Sequence, residues 1–141
     1  MFCFVDPADA VDEHERLLAT EEELLQQLGI PYRVVNIAVA ELGASAAKKY
    51  DCEAWMPSQQ RYREVTSTSN TTDYQARRLD IRARREGGRP QHVATLNGTA
   101  VTWRHIIALL ENGQRDDGSV AIPEVLHRWG APAELRVGDP A

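Results

Sequence analysis

The sequence predicts an α+β fold, in which a mainly antiparallel sheet has helices packed against it. Stretches rich in strand-forming residues follow one another without the regular alternation of strand and helix that a parallel sheet requires. A long segment from Asp6 to Leu28 carries apolar residues at helical spacing, so it offers one face to a sheet. The 141 residues suffice for one domain, and 43% of them are hydrophobic, as is typical of globular proteins.

The N-terminal residues predict a strand followed by a long helix. Met1 to Val5 are apolar and end at Asp6-Pro7, which favours a buried strand. Because no segment precedes this strand, we expect a sheet that is cut here and leaves an unpaired edge. Asp6-Pro7 is also typical of a helix start, and Gly29 of a helix end. We interpret the acidic residues Glu21 to Glu23 as the solvated face of this helix.

The rest of the chain predicts shorter elements. Aromatic and β-branched residues indicate four further strands, at residues 32–39, 51–56, 61–69 and 92–97. Small-residue, periodic and capping signals indicate helices at residues 42–49, 74–85, 99–110 and 125–129. We expect residues 130–141 to form a mobile tail, because this segment contains two prolines and two glycines.

Composition excludes several classes of protein. The 16 Lys and Arg residues against 21 Asp and Glu residues give a net charge of −5, so we expect no DNA partner. The two cysteines, Cys3 and Cys52, form no CxxC pair, which argues against a disulfide scaffold or a cysteine-built zinc site. We expect a cytoplasmic protein without a membrane partner, because no apolar run approaches the ~20 residues of a span and no signal peptide is apparent.

Oxygen-bearing side chains are concentrated on the predicted strand 61–69. Glu64 is followed by the hydroxyl residues Thr66 and Ser67. Such donors suit Mg²⁺, which takes one or two protein carboxylates and completes its coordination from phosphate oxygens. The alternative is that Glu64, like Glu53, simply faces solvent on an open sheet, and spacing alone does not decide between the two.

Arginines supply candidate phosphate contacts. Arg78, Arg82 and Arg85 share one face of the predicted helix 74–85, which is either a local phosphate-binding patch or a solvated, salt-bridged surface. Arg104 lies among apolar residues and must therefore leave the core or pair with an anion. A guanidinium group suits a polyphosphate because it stays charged and binds in a fork.

Several segments together resemble a known family. They include Asp51-Cys52-Glu53-Ala54-Trp55-Met56-Pro57, Tyr62-Arg63-Glu64-Val65-Thr66-Ser67 and Thr95-Leu96-Asn97-Gly98-Thr99, and the others lie at 13–18, 29–35, 74–79 and 109–112. In this order they are similar to the C-terminal part of the catalytic domain of bacterial-type seryl-tRNA synthetases. These enzymes are class II aminoacyl-tRNA synthetases. The resemblance implies that residues 1–129 form a partial class II catalytic fold, from the tail of motif 2 through motif 3.

The same resemblance implies an activity and a site. The activity is that of a serine–tRNA ligase, which uses ATP and Mg²⁺ to activate serine and then transfers it to tRNA. Arg104 matches the catalytic arginine of motif 3, which holds the triphosphate. The other assignments are Glu64, Val65, Thr66 and Ser67 to ATP, Glu64 and Ser67 to Mg²⁺, and Asn97 and Thr99 to serine.

The sequence also departs from the family pattern. Motif 1 and most of motif 2 are absent, and with them an ATP-binding arginine and the glutamate that contacts the serine amino group. The coiled coil that recognises tRNA is absent too. We therefore expect the isolated chain to be a catalytically incomplete fragment that self-associates or binds a complementing chain. Two other interpretations stay open: a non-catalytic nucleotide-binding or interaction module derived from a synthetase, and an inactive folded remnant.

Two local departures concern single positions. Gln60 stands where glycine is common in the family. The segment from Thr99 to Arg104 is one residue shorter than in many members. The second departure bears directly on whether Arg104 reaches the site.

Overall fold

The computed structural model describes residues 1–84, 87–136 and 138. The strands are β1 (Phe2–Val5), β2 (Tyr32–Asn36), β3 (Lys48–Met56), β4 (Arg61–Asn70), β5 (Arg82–Ala83), β6 (Gln91–His92), β7 (Ala94–Gly98), β8 (Val120–Ala121) and β9 (Glu134–Leu135). The α-helices are α1 (Ala10–Gln27), α2 (Tyr74–Leu79), α3 (Trp103–Gly113) and α4 (Glu124–His127).

The main sheet confirms the predicted antiparallel architecture. Its five strands have the order β1-β7-β4-β3-β2, and every neighbouring pair is antiparallel. Two small two-stranded sheets, β5-β6 and β8-β9, lie outside it. No helix among the described residues is long and apolar enough to cross a membrane.

Helices cover one face of the main sheet. Helix α1 packs on β4 and β7, and α3 packs on β3. Leu18, Leu25, Ala54, Val65 and Ala108 belong to the apolar core between them. On the other face, α2 packs against β7, and no helix of the described residues packs comparably where β3 and β4 meet, so the face is open there.

The signals at the two ends of α1 are confirmed. Asp6 caps a single turn of 3₁₀ helix, because its Oδ1 accepts a hydrogen bond from the backbone N–H of Ala8 at 2.9 Å. The α-helix follows at Ala10 and ends at Gln27. Gly29 has a φ of +65°, a left-handed conformation that glycine adopts without steric cost.

The prediction that Glu21 is solvated is wrong. Glu21 is 0% exposed and faces the sheet, where its Oε2 lies 3.9 Å from the Sγ of Cys52. Its other oxygen, Oε1, has no hydrogen-bond partner in the described part of the chain, and burial raises the pKa of the carboxyl to about 7. Glu21 stands three residues after Leu18 and four before Leu25, so helical spacing itself puts it on the core face.

Strand β1 forms as predicted but is not buried. It is an edge strand that pairs only with β7 in the main sheet. Phe2 is 79% exposed and Phe4 is 60% exposed. The expected apolar edge is therefore present.

Three predicted helices differ from the structure. Residues 42–49 form no helix, because the chain from Lys48 onward pairs with β4. A single 3₁₀ turn, Val39–Glu41, precedes this segment. Helix α2 ends at Leu79, where Asp80 turns left-handed, and Arg85 lies outside the described residues. The third helix, α3, begins at Trp103 rather than Thr99.

The C-terminal part of the chain contains two short strands, β8 and β9, that the sequence did not predict. Helix α4 lies within a residue or two of the predicted segment 125–129. Within residues 130–141, Glu134–Leu135 form β9 and pair with β8. Val137 and residues 139–141 lie outside the described part of the chain.

Candidate functional site

A β-bulge in β4 determines which side chains share the open face of the sheet. Cys52 pairs with Thr66, but its neighbour Glu53 pairs with Glu64, so Val65 is the extra residue of the bulge. Residues three apart on a regular strand point to opposite faces. The bulge reverses this, and Glu64 and Ser67 therefore lie on the same, open face.

The opposing strand adds charged groups to this face. In the register of β3 and β4, Glu53 lies opposite Glu64, Asp51 opposite Ser67, and Lys49 opposite Ser69. Arg33 donates from Nε to Glu53 at 2.6 Å, so that carboxylate already has a partner. The Nζ of Lys49 lies 2.6 Å from Asp51 Oδ1 and 4.0 Å from Glu64 Oε1.

The start of α3 is fastened to the bulge by hydrogen bonds. The hydroxyl of Thr102 donates to the carbonyl of Val65 at 3.0 Å and accepts from the backbone N–H of Arg104 at 3.3 Å. On the preceding turn, the N–H of Thr99 donates to the carbonyl of Ser67 at 3.0 Å, and the hydroxyl of Thr66 donates to the carbonyl of Thr99. These bonds explain why the helix begins at a Thr102 cap rather than at Thr99.

Arg104 reaches the predicted site despite the shorter segment before it. Its Nη1 donates to the backbone carbonyl of Glu64 at 3.0 Å, and the residue is exposed to solvent. The structure thus brings the Arg104 guanidinium to the backbone of Glu64. This bond engages one of the five N–H groups of the guanidinium, so the other four can serve an anion.

The other residues predicted for the site divide into two groups. Asn97 pairs with Ser69 across the strands and is half-buried, as is Thr99 just beyond the end of β7. The side chains of Val65 and Thr66 are buried on the helix-covered face, at 1% and 2% exposure. These two side chains therefore do not face a ligand on the open face.

Gly98 permits the close approach of α1 to this region. A Cβ atom at this position would lie 2.7 Å from Glu21 Oε1 and 3.2 Å from the hydroxyl oxygen of Thr68. At 2.7 Å the buried Glu21 carboxylate would have to move to admit a side chain here. The predicted serine-binding turn therefore depends on glycine for packing beneath it.

Sequence reasoning did not identify Lys49 and Asp51 as members of the site. Their alternation with Glu53 at every second position was the available signal, because it puts all three on one face of a strand. Their proximity to Glu64 depends on the pairing of β3 with β4, which the sequence alone does not reveal.

The arginines on and after α2 have partners nearby. Arg77 pairs with Asp73 at 2.5 Å, and Arg82 pairs with Asp80 at 2.7 Å. The guanidinium carbon of Arg78 lies 4.5 Å from the centre of the Tyr74 ring. This pattern fits the interpretation of a solvated, salt-bridged surface.

The donor set on the open face suits a magnesium–nucleotide complex. No cluster of three or more His, Cys, Asp or Glu side chains that could hold a metal ion occurs in the part of the chain that the structure describes. Apart from Glu53, which Arg33 engages, the face offers the carboxylates of Asp51 and Glu64 and the hydroxyl of Ser67. Mg²⁺ is commonly held by so few protein oxygens when substrate phosphates complete its coordination.

This sheet, with its acidic and hydroxyl open face and an arginine at the start of the following helix, is that of a class II synthetase core. Residues 1–113 match the tRNA synthetase class II core domain (G, H, P, S and T), and the chain belongs to this family.

Within the family, the similar proteins are serine–tRNA ligases, as the sequence resemblance predicted. The chain is 60% identical to the serine–tRNA ligase of Thermobifida fusca over 89% of its length, and 61% identical to that of Clavibacter sepedonicus over 92%. It spans about 30% of the length of these curated relatives.

Solved structures agree with this assignment. The seryl-tRNA synthetase from Pyrococcus horikoshii, crystallised with ATP, superposes with a TM-score of 0.90 at 52% identity, covering 94% of this chain and 30% of that one. The cytoplasmic serine–tRNA ligase from Naegleria fowleri, in complex with AMP, gives a TM-score of 0.87 at 36% identity, covering 98% of this chain and 33% of that one. The predicted fold class is confirmed.

Proposed function

We propose that this chain provides the Mg²⁺–ATP and serine sites of a serine–tRNA ligase. The observation that carries the proposal is the bulge at Val65, which puts Glu64 and Ser67 on one face and fastens Arg104 beside them. The solved relatives with ATP and AMP support a nucleotide in this fold.

In the proposed reaction, a carboxylate oxygen of serine forms a bond to the α-phosphorus of ATP and pyrophosphate leaves. Mg²⁺, when bound, neutralises charge on the phosphates. Glu64 and Ser67 would hold it, and the free arm of the Arg104 guanidinium would pair with the terminal phosphates. Asn97 and Thr99 would orient serine at the neighbouring end of β7. The product, seryl-adenylate, would then give its serine to tRNA.

The isolated chain should not complete this reaction by itself. The resemblance assigns an ATP-binding arginine and the serine-contacting glutamate to motif 2, and these 141 residues contain only its last positions. Catalysis by positioning and electrostatics requires all charged groups in one rigid site. We expect serine-dependent ATP–pyrophosphate exchange at background rate, and robust exchange that Glu64→Ala abolishes would show that this chain is sufficient.

Binding of Mg²⁺–ATP tests the site more directly than turnover does. In a calorimetric titration, Glu64→Gln and Arg104→Ala should each weaken binding about ten- to a hundredfold, since each removes a charge-assisted contact. The control is a double variant, Arg78→Ala with Arg82→Ala, which should change affinity little. If the control variant lost binding while Arg104→Ala kept it, the assignment of Arg104 to the terminal phosphates would be wrong.

We also propose that the edge formed by β1 pairs with a further strand, from another copy or from a complementing chain. Exposed edges with apolar side chains recruit strands, and Phe2 and Phe4 are exposed here. Light scattering over a concentration series should show a mass that rises with concentration. A monomeric mass throughout would contradict this. We propose the cytoplasm as the place of action.

A further inference from the structure

Lys49 lies between two carboxylates of the open face, those of Asp51 and Glu64. Its Nζ is 2.6 Å from Asp51 Oδ1 and 4.0 Å from Glu64 Oε1. The three residues come from neighbouring strands, and the bulge at Val65 is what turns Glu64 toward the other two. Two negative charges thus share a single ammonium group, which leaves this cluster with one negative charge in excess.

Asp51 has an unusual environment for a carboxylate. The residue is only 8% exposed. Although Lys49 is close, its approach is not aligned for a hydrogen bond, and Oδ1 has no hydrogen-bond partner among the described residues. A buried carboxylate without directed donors is costly unless a cation compensates it. The charge of Lys49 compensates Oδ1 of Asp51, which lies directly opposite Ser67.

The neighbouring acidic residue behaves differently. Glu53 lies on the same face, but Arg33 donates to it at 2.6 Å, and that guanidinium also lies 4.6 Å from the centre of the Tyr62 ring. Its partner is therefore fixed on two sides. Lys49 has no comparable fixation, because its ammonium group ends a flexible four-carbon stem whose side chain is 25% exposed.

We infer that Asp51 is a third protein ligand of the divalent cation, beside Glu64 and Ser67, and that Lys49 is a built-in counterion which the cation displaces. The inference rests on the proposed function for the position of the cation. Without a metal, the ammonium of Lys49 stabilises the two carboxylates. When a divalent cation binds, the stem of Lys49 moves its charge aside, toward the space where the nucleotide phosphates would lie.

Binding of Mn²⁺ alone, without nucleotide, tests the inference. Electron paramagnetic resonance measures free Mn²⁺ at low ionic strength in titrations of the 141-residue chain. Lys49→Gln should bind Mn²⁺ about tenfold more tightly than the unmodified chain, because the competing charge is gone. Asp51→Asn should bind about tenfold more weakly, and the double variant should not show the gain of Lys49→Gln alone.

Two matched controls are available on the same strand. Lys48→Gln removes the adjacent lysine, which pairs with Glu15 of α1 at 2.8 Å, and Glu53→Gln removes the carboxylate held by Arg33. Neither should change Mn²⁺ affinity by more than about twofold. Equal affinities for Lys49→Gln and Lys48→Gln would overturn the inference. The comparison of these two lysine variants tests the inference even if Asp51→Asn fails to fold.

The outcome is separate from that of the proposed function. If the chain binds no Mg²⁺–ATP while its Mn²⁺ affinity responds to the variants as described, the proposed function is refuted and the role of Lys49 as a counterion is supported. If Mg²⁺–ATP binds through Glu64 and Arg104 while Lys49→Gln leaves the Mn²⁺ affinity unchanged, the proposed function is supported and the role of Lys49 as a counterion is refuted.

Discussion

Replacing Glu21 by glutamine should remove a pH dependence of stability that the wild-type chain shows between about pH 4.5 and pH 7. Glu21 is 0% exposed, and its Oε1 has no hydrogen-bond partner among the residues that the structure describes. Burial raises the pKa of its carboxyl from 4.5 to about 7. The unfolded chain, in which the group is solvated, keeps the ordinary value.

The sign of the effect follows from which state loses its proton first. Below the unfolded pKa both states are protonated, and Glu21 costs nothing through ionisation. As the pH rises, the unfolded chain ionises first, so the free energy of unfolding falls until the folded carboxyl also ionises near pH 7. The difference between the two pKa values corresponds to about 3 kcal/mol, fully lost at pH 8.

Two buried histidines act in the opposite direction. Burial lowers the pKa of His14 and of His105, so each contributes stability that increases as the pH rises toward the ordinary histidine value. Wild-type stability alone therefore does not isolate the effect of Glu21. The difference between wild type and variant does, because both chains contain the same histidines.

Urea unfolding, followed by tryptophan fluorescence at pH 4.5 and pH 8, measures this difference. Relative to wild type, Glu21→Gln should gain about 3 kcal/mol between the two pH values. The control is Glu23→Gln, at an exposed position on the same helix. The reasoning would be refuted if the free energies of unfolding of wild type and Glu21→Gln differed by the same amount at both pH values, within about 0.5 kcal/mol. It would also be refuted if Glu23→Gln showed an equal change.

Three further substitutions have calculable consequences for unfolding in urea. Gly98→Ala should cost about 1–3 kcal/mol of stability, because its Cβ would lie 2.7 Å from Glu21 Oε1. This cost should be smaller in a double variant with Glu21→Ala, whereas additive costs would contradict the contact. Gln60→Gly should stabilise by about 1 kcal/mol, because Gln60 has a φ of +49°, and a loss of stability would mean that its side chain matters more than its backbone. Thr102→Val should cost about 1–2 kcal/mol by removing the helix cap and the bond to Val65, whereas an unchanged midpoint would argue against both contacts.

The parts of the fold that depend on local pattern could be predicted from the sequence. Strands β3 and β4 and the helix α1 were expected from residue type, capping and periodicity, and all are present. Residues 42–49 are different, because their small side chains favour a helix while Lys48 gains hydrogen bonds by pairing with β4. The start of α3 likewise depends on Thr102 binding a distant carbonyl. Pairing across the sheet is invisible in a single segment.

The candidate site shows the same division. Glu64 and Ser67 were predicted from a resemblance, whereas regular strand geometry alone would place them on opposite faces. Only the register of β3 against β4 reveals the bulge that unites them, and with it the position of Asp51. The burial of Glu21, by contrast, follows from helical spacing and was available from the sequence.

The most direct test of the account is where a metal–nucleotide complex binds on the folded chain. Mn²⁺–ATP broadens NMR signals of nearby amides, so a titration of the ¹⁵N-labelled chain maps its position. We predict selective broadening at Glu64 to Ser67 and at Arg104, with Arg78 and Arg82 unaffected. Broadening centred on Arg78 and Arg82, or no selective broadening at saturating concentrations, would contradict the proposal that the bulge of β4 forms the nucleotide site.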